Sequence, residues 1–287
     1  MSFIRRRIDV TITLGDGEFG NNLGDTVTLT GLRVMANIAS VGGEAQGQCQ
    51  ARIFGLPLSM INRLTTIGPA GMAIRGQNGI EIAAGNEGDA LSTVFKGSIF
   101  YAYGELAQAP EVALSVYGLS AALASVKPVG ATSYVGAVDV ATVMAGFAQE
   151  MGFTLEGNGV SVMLQNPYFP GPDTLSKVRQ AAQAARIGFC VDNGVLAIWP
   201  QNGYRTGDVP IISPGAGLVS YPTFNEQYIS VRTVFLPSAV LGGRFTVAKS
   251  AVTPANGTWN TASVVHNLES QVPNGQWFTD LQGWGNG

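Results

Sequence analysis

Alternation of apolar and polar residues dominates the first 117 residues and predicts a series of β-strands. Glycine-containing turn sequences, such as Gly15-Asp16-Gly17 and Gln77-Asn78-Gly79, separate the alternating stretches. Residues 58–66 form the one stretch with helical spacing. The predicted strands are residues 4–14, 26–38, 48–54, 71–75, 80–84, 91–103 and 112–116. Seven strands at this spacing predict antiparallel pairing in a barrel or a sandwich.

The middle third of the chain changes to a helical period. Asp139 is a suitable N-cap for a helix that ends at Gly152, and Pro172-Asp173-Thr174 opens a second helix that we expect to end at Gly188. The apolar positions of the first helix are Val140, Val143, Met144, Phe147 and Met151. Those of the second are Leu175, Val178, Ala182 and Ala185. The two helices predict a small α+β domain over residues 118–202.

The two helical units also repeat a sequence pattern. Each helix is followed by Gly-Phe, a short apolar strand, an Asn-Gly pair and a second strand. The pairs are Asn158-Gly159 and Asn193-Gly194, and Asn-Gly is the strongest short signal for a two-residue hairpin turn. We therefore expect helix, strand, turn and strand in each unit.

The last seventy residues return to strand periodicity. A Gly/Pro-rich linker at residues 203–217 precedes a predicted hairpin, in which Gly242-Gly243 connects strands at 228–235 and 244–247. Asn256-Gly257 then predicts a tight turn into a strand at 258–268. The ladder ends in HNLESQVPNGQW, residues 266–277, which we interpret as β-structure at a contact between subunits and not as an active site.

Composition points to an assembly. Only 12% of the residues are charged, whereas 46% are hydrophobic and 38 are glycine. A weakly charged surface of this kind suggests that other subunits cover much of it, and a glycine-rich monomer is the alternative. No apolar run is long enough to span a bilayer, and Arg5-Arg6-Arg7 is not followed by the apolar stretch of a signal peptide. We therefore expect cytoplasmic synthesis and no stable membrane insertion.

Neither the charged residues nor the cysteines predict a bound nucleic acid, metal or cofactor. The net charge is −3, and Arg5-Arg6-Arg7 fits an edge strand that avoids unwanted pairing better than a phosphate site. Cys49 and Cys190 are far apart in sequence, and we expect both to be small core residues. His266, the one histidine, lies in an alternating strand and is expected to pack or to form a hydrogen bond.

A glycine-rich stretch, residues 15–20, fits the pattern G-x-G-x-x-G of nucleotide-binding loops. Such a loop must open a helix whose N-terminus faces the phosphate. Here it leads instead to the β-branched stretch Thr26-Val27-Thr28. The context therefore argues against nucleotide binding.

Two other functions remain open from the residues alone. A cell-wall hydrolase would need two carboxylates close together, and folding could supply them from Glu105, Glu111, Glu150 and Glu156. A glycan-binding module would need exposed aromatic residues, for which Trp259 and Trp284 are candidates. None of the acids belongs to a recognisable catalytic motif, so no catalytic, cofactor-binding or metal-ligating residue is assigned, and the interface residues are unknown at this stage.

Several stretches resemble baseplate hub proteins of tailed bacteriophages. Residues 94–103 (VFKGSIFYAY) with Leu114-Ser115-Val116 are similar to the end of that family's first barrel. Gly188-Phe189, Asp192-Asn193-Gly194 and Leu196-Ala197-Ile198 are similar to its small inserted domain. Residues 217–223 (GLVSYPT) and 266–277 match its second barrel. The resemblance spans nearly the whole chain, but its motifs are turns and strand ends without a catalytic signature.

The resemblance implies an architecture and a role. The expected fold is α+β, predominantly β, with two antiparallel tube-like β-barrels and an inserted α+β domain, divided at 1–117, 118–202 and 203–287. The expected protein is a non-enzymatic, homotrimeric virion component of the tail baseplate. It would join the tail tube to the central spike as a sixfold-to-threefold adapter, with a lumen for tape-measure protein and transient DNA passage. A tail tube or distal-tail protein is the structural alternative.

Overall fold

The computed structural model describes residues 5–20, 24–42, 46–66, 77–107 and 109–286, and strands dominate this part of the chain. The first strands are β1 Arg6–Thr13, β2 Thr26–Leu29, β3 Val34–Val41, β4 Gln48–Phe54, β5 Gly79–Asn86, β6 Ser92–Glu105 and β7 Ala113–Leu119. The middle strands are β8 Thr132–Ser133, β9 Ala137–Asp139, β10 Thr154–Gly157, β11 Met163–Gln165, β12 Tyr168–Phe169, β13 Ile187–Asp192 and β14 Val195–Pro200. The last are β15 Ile211–Ile212, β16 Thr223–Phe224, β17 Ile229–Val234, β18 Arg244–Val247, β19 Gly257–Ser270 and β20 Trp277–Asn286. The helices are α1 Leu58–Leu64, α2 Val140–Met151 and α3 Thr174–Ala185. The chain is therefore predominantly β with few helices, as predicted.

A single 13-stranded sheet joins the two ends of the chain. Its order is β16-β17-β20-β19-β3-β4-β7-β6-β5-β1-β2, with β18 pairing β19 and β15 pairing β18. The central pairing is between β19 and β3, antiparallel from Ser263 opposite Val41 to Ser270 opposite Val34. The segment that the sequence analysis placed at a subunit contact is thus paired on both sides within its own chain. The sequence contains no local signal of this pairing, because the partners lie more than two hundred residues apart, and a contact of this segment with another subunit stays a prediction.

Two separate cores lie against this sheet. The first β body, strands β1–β7 with α1, is filled by residues such as Val10, Ile53 and Phe95, and also by Leu268 and Trp277 from the C-terminal hairpin. The second β body, strands β15–β20, has its own core around Val231, Phe245 and Leu281. Within the described residues, the strand order of the large sheet ends at β16 on one side and at β2 on the other. Closed barrels and the division at 1–117, 118–202 and 203–287 therefore stay predictions.

The first β body differs from the prediction at one strand. The predicted strand 26–38 is two strands, because Gly31 has φ of 70° and turns the chain between them. β2 pairs β1, whereas β3 pairs β4 and β19. The helix predicted at 58–66 is confirmed as α1, and the predicted strand 71–75 lies outside the described residues.

The inserted segment, residues 118–202, packs α2 and α3 on the strands β13, β14 and β10. The caps of α2 are as predicted: Asp139 accepts a hydrogen bond from the Ala141 amide, and Gly152 ends the helix in the left-handed region. The predicted end of α3 was wrong. Arg186, with φ of 52°, ends it, and Gly188 lies in β13. A Cβ on Gly188 would lie 2.3 Å from Nε1 of Trp199, so the glycine is required by close packing.

Only one of the two repeated Asn-Gly pairs forms a hairpin. Asn193 and Gly194 have φ of 49° and 79° and join β13 to β14 as predicted. At Asn158-Gly159 the prediction was wrong, because β10 pairs in parallel with β14. The Asn158 side chain donates to the Ile198 carbonyl at 2.9 Å and accepts from the Thr206 amide at 2.8 Å. These bonds to distant backbone groups fix the Asn158 side chain, so the Asn158-Gly159 pair does not connect two antiparallel strands.

Of the two hairpins predicted in the C-terminal third, the pairing of the first was wrong, whereas the second is confirmed as β18 with β19 but has a longer loop than the predicted tight turn. β17 lies between β16 and β20, whereas β18 pairs β19, so Gly242-Gly243 is a turn but not a hairpin turn. A nine-residue connection, 248–256, joins β18 to β19. Asn256 closes it by accepting from the Ser250 amide at 2.8 Å and donating to its carbonyl at 3.1 Å. The predicted linker contains β15, which pairs in parallel with β18.

The packing of Trp199 on Gly188 predicts a specific sensitivity. Gly188→Ala should lower the free energy of unfolding by about 1–3 kcal/mol, because the added methyl group must displace a packed indole. Gly157→Ala is the matched control, since Gly157 also lies in a strand of the insert and its added methyl would meet no atom within 4 Å. Urea denaturation of the two variants measures the difference. Equal stability would show that the indole moves aside without cost.

Candidate interaction surface

A row of polar side chains crosses the exposed face of the large sheet. Tyr101, Tyr117, Gln50, Asn37 and Asn267 stand directly opposite one another on β6, β7, β4, β3 and β19. The neighbouring positions on these strands point into the first core, because side chains alternate between the two faces of a strand. The row thus belongs to one continuous face that both halves of the chain build.

The face is concave, and its depression, here called the sheet groove, has a volume of about 390 Å³. Its polar lining comprises Asn37, Gln50, Arg52, Tyr101, Tyr103, Glu105, Ser115, Tyr117, Asn267, Glu269 and Gln276. The rings of Tyr101 and Tyr117 stack with centroids 5.0 Å apart. Tyrosine and amide side chains thus supply most of the polar lining of the groove.

Hydrogen bonds connect the face from strand to strand. Asn37 donates to Asn267 at 2.8 Å, and Asn267 donates to Asp280 at 2.9 Å. Arg232 on β17 completes the chain with two bonds to Asp280, of 2.7 and 2.9 Å. The network therefore crosses the junction between the two β bodies and fixes their side chains on one surface.

The charges on this face are largely paired. Glu105 accepts hydrogen bonds from Ser115 and Arg52, and these bonds lower the pKa of the Glu105 carboxyl. The bonds to Asp280 likewise raise the pKa of Arg232. No lysine lines the sheet groove. Its electrostatic potential should therefore be weak, which suits a surface that does not hold phosphate strongly.

The four acids considered for a hydrolase each face a basic side chain. Besides Glu105, these pairs are Arg33–Glu111 at 3.1 Å, Lys177–Glu150 at 3.7 Å and Arg205–Glu156 at 2.7 Å. Hydrogen bonds from Arg205 lower the pKa of Glu156. A glycosidase acid needs a raised pKa, so Glu105 and Glu156 do not fit that role.

A buried polar cluster, which the sequence analysis missed, joins the insert to the second β body. Arg205 forms bonds of 2.9 and 2.7 Å with Glu156 and lies 3.3 Å from the Leu241 carbonyl. Asp192 is buried nearby, and burial raises its pKa. The sequence contained one signal of this cluster, because Arg205 is a charged residue inside the predicted Gly/Pro-rich linker. Its burial shows that this segment is packed structure.

The cysteines and the histidine are core residues, as predicted. Cys49 and Cys190 are free and buried, and burial raises the pKa of the Cys190 thiol to about 12. His266 is buried with Nδ1 2.9 Å from the Thr279 hydroxyl, and burial lowers its pKa to about 4.

Within the described ranges, no group of three or more His, Cys, Asp or Glu is placed to hold a metal ion, and no helix is long and apolar enough to cross a membrane.

The two N-terminal motifs, the glycine-rich residues 15–20 and the arginines at the start of β1, both lie beside strands of the first β body. The glycine-rich residues 15–20 precede strand β2, and the Gly15 amide donates to Asn78 at 3.0 Å. Arg7 pairs with Asp9 at 2.6 Å. β2 covers only Val10–Thr13 of β1, so the arginine end of β1 has one unpaired side, in agreement with its interpretation as edge-strand charge.

The fold is that of phage tail proteins. It is similar to the prophage MuSo2 43 kDa tail protein of Shewanella oneidensis, with a TM-score of 0.61, 10% identity and 96% of each chain covered. A tail protein of Neisseria meningitidis MC58 gives a TM-score of 0.61 at 11% identity, with 98% of this chain and 97% of that chain covered. The Escherichia coli c3393 protein, described as a type VI secretion component similar to T4 tail proteins gp27 and gp5, gives 0.55 at 12% identity, with 88% and 73% covered.

The family is shown by sequence. The profile of the baseplate hub gp41 family matches residues 7–278, nearly the whole chain, and the chain belongs to that family. No curated protein sequence matches the chain. The resemblance to phage baseplate hubs is therefore confirmed, and the protein is a structural component of a phage tail baseplate.

The buried state of His266 predicts a pH dependence. Its pKa is about 4 in the fold and 6.5 in the unfolded chain, so the unfolded chain binds the proton first as the pH falls. Stability should therefore be lost between pH 6.5 and 4, by up to about 3 kcal/mol. His266→Asn keeps an acceptor for the Thr279 hydroxyl but does not titrate.

Thermal melting at fixed protein concentration compares the two proteins at pH 7, 5.5 and 4. The melting temperature of the wild type should fall relative to that of His266→Asn as the pH is lowered. Parallel curves would contradict the assignment, because they would mean that His266 carries the same charge in both states.

Proposed function

We propose that the protein is a homotrimeric, non-enzymatic baseplate hub that joins the tail tube to the central spike as a sixfold-to-threefold symmetry adapter. Membership of the baseplate hub gp41 family supports the baseplate role. The pairing of β19 with β3 carries the structural argument, because it unites two β bodies in one sheet. Three chains would then present six β bodies around one axis.

The domain division expected from the sequence fits this proposal. We infer that each β body is a tube-like barrel module and that the insert, 118–202, is attached to both. The hairpin of β13 and β14 lies between the β bodies: the Gly47 amide donates to the Val191 carbonyl at 3.1 Å, and Trp199 packs on Gly242. A rigid pair of modules in each chain is what an adapter between two symmetries requires.

The sheet groove supports the assignment of a lumen. A tube that passes DNA needs a polar wall that does not retain phosphate, since every phosphate neutralised by a fixed cation adds to binding. Tyrosines, amides and paired charges in the groove meet that need. We infer that this face lines the lumen and that tape-measure protein and DNA pass along it without specific binding.

The partners follow from the same position in the virion. The tail tube protein would contact one rim of the ring, and the central spike and other baseplate proteins the opposite side. The similarity of the fold to a protein described as resembling gp27 and gp5 supports partners of the tail and spike kind. The protein would assemble in the host cytoplasm, and no cofactor is needed for this role.

The mass of the purified chain in solution tests the proposal. Light scattering after gel filtration, with and without the spike protein encoded by the same phage, should give a mass near three times 29.9 kDa for the hub. A hexamer would instead favour a tail tube or distal-tail protein. A monomer under both conditions would contradict the trimeric hub.

A second test places cations in the sheet groove. Asn37→Arg with Gln50→Arg should make the assembled protein bind linear double-stranded DNA in a salt-dependent way at about 150 mM salt, where the wild type should not. Closed circular DNA should bind far less, because it cannot enter a closed ring. Electrophoretic mobility measures both.

The control for that test is Gln149→Arg with Gln183→Arg, which places two exposed cations on the helices of the insert. This pair should show no preference between linear and circular DNA. Equal binding of both DNA forms by the groove variant would contradict a lumen position for the sheet groove.

A further inference from the structure

A second depression, here called the junction groove, lies between the ends of β6 and β7 and the insert. Its volume is about 410 Å³. The apolar part of its lining includes Ala121, Ala122, Leu123, Met151, Phe153 and Val195. The groove exists because the β13–β14 turn docks on β6, where the Lys96 amide donates to the Asn193 side chain at 2.8 Å. It is thus a built feature of the contact between the insert and the first β body.

The junction groove is positively charged. Lys96 and Lys127 both line it, and both side chains are exposed without an ion pair or hydrogen bond of their ammonium groups in the described part of the chain. Glu150, also in the lining, faces the buried Lys177 at 3.7 Å. The chain has four lysines, and Lys249 is the fourth. Two of the three exposed lysines therefore lie at one apolar groove.

A segment of the second β body has the complementary chemistry. Residues 219–226, here called the rim segment, expose Val219, Tyr221 and Phe224, with Tyr221 71% exposed. Glu226 in the same segment is exposed, and its carboxylate forms no ion pair within the described residues. The rim segment thus combines unburied aromatic rings with an unpaired negative charge, whereas the junction groove combines an apolar floor with unpaired positive charges.

We propose that the rim segment of one copy binds in the junction groove of the next copy. Tyr221 or Phe224 would cover the apolar floor, and Glu226 would lie near Lys96 and Lys127. The two surfaces belong to different parts of the chain, so the contact is heterologous and can close a ring when repeated around an axis. This inference rests on the proposed trimer and names the contact that would hold it together.

Charge reversal tests the contact. Lys96→Glu with Lys127→Glu should weaken self-association at least about tenfold, because like charges then face each other across the interface. Adding Glu226→Lys to that variant should restore most of the affinity. Lys249→Glu is the matched control, since it changes the third exposed lysine and should leave self-association unchanged. Sedimentation velocity over a range of concentrations measures each constant.

Truncation of the aromatic ring is the second test. Tyr221→Ser should also weaken self-association at least about tenfold, because burial of large aromatic rings dominates many interfaces. Val135→Ser is its control, as Val135 is 100% exposed on the insert and lies outside both surfaces. Both exposed positions carry little risk to folding.

Disulfide capture identifies the neighbours directly. One protein carries Tyr221→Cys, the other carries Leu123→Cys, and both native cysteines are buried. A mixture of the two should form a covalent dimer on mild oxidation, and neither protein alone should do so.

The outcomes separate the two proposals. A wild-type trimer with variants that match their controls, and with no disulfide, would overturn the rim-segment contact and leave the hub proposal standing. A wild-type protein that stays monomeric, with no disulfide in the mixture, would overturn both.

Discussion

The pairing of β19 with β3 is the constraint on which the rest of the structure depends. β19 is bonded to β20 along one side and to β18 and then β3 along the other, so both its edges are satisfied inside the chain. Leu268 and Trp277 enter the core of the first β body because of this pairing. The first β body therefore cannot complete its core without β19 and β20. The paired edges of β19 are not available to another subunit.

The same pairing decides where the insert can sit. Its β13–β14 hairpin is bonded to the first β body at Val191, whose carbonyl accepts from the Gly47 amide, and it is covered by the second β body at Trp199. Arg205, whose side chain is largely buried, adds a charged bond to the partly exposed Glu156 at the same place. Removal of Glu156 would leave the Arg205 charge uncompensated, so this bond helps to fix the relative position of the parts of the chain.

Local patterns predicted elements well and pairing poorly. Apolar alternation located β1, β4 and β7, and the capping residues located α2, because these signals depend on residues within one turn or one strand. Of the three Asn-Gly pairs interpreted as tight turns, at 158, 193 and 256, only Asn193-Gly194 forms a two-residue hairpin turn. At the other two positions the asparagine side chain is bonded to backbone groups elsewhere. The polar row of the sheet groove was missed for a similar reason, since it exists only once five strands are in register.

The low charge content has a structural meaning that composition alone did not reveal. Several charged side chains pair within the chain across strands or parts: Arg52 with Glu105, Arg232 with Asp280 and Arg205 with Glu156. The first of these pairs lies in the sheet groove and leaves it without a fixed excess of cations, which the proposed DNA passage requires. Lys96, Lys127 and Glu226 differ because each is exposed and unpaired in the described chain. An exposed pair contributes little within one subunit. In the proposed contact between subunits, beside an apolar floor, the same charges would set the register and exclude wrong neighbours, as a closed ring requires.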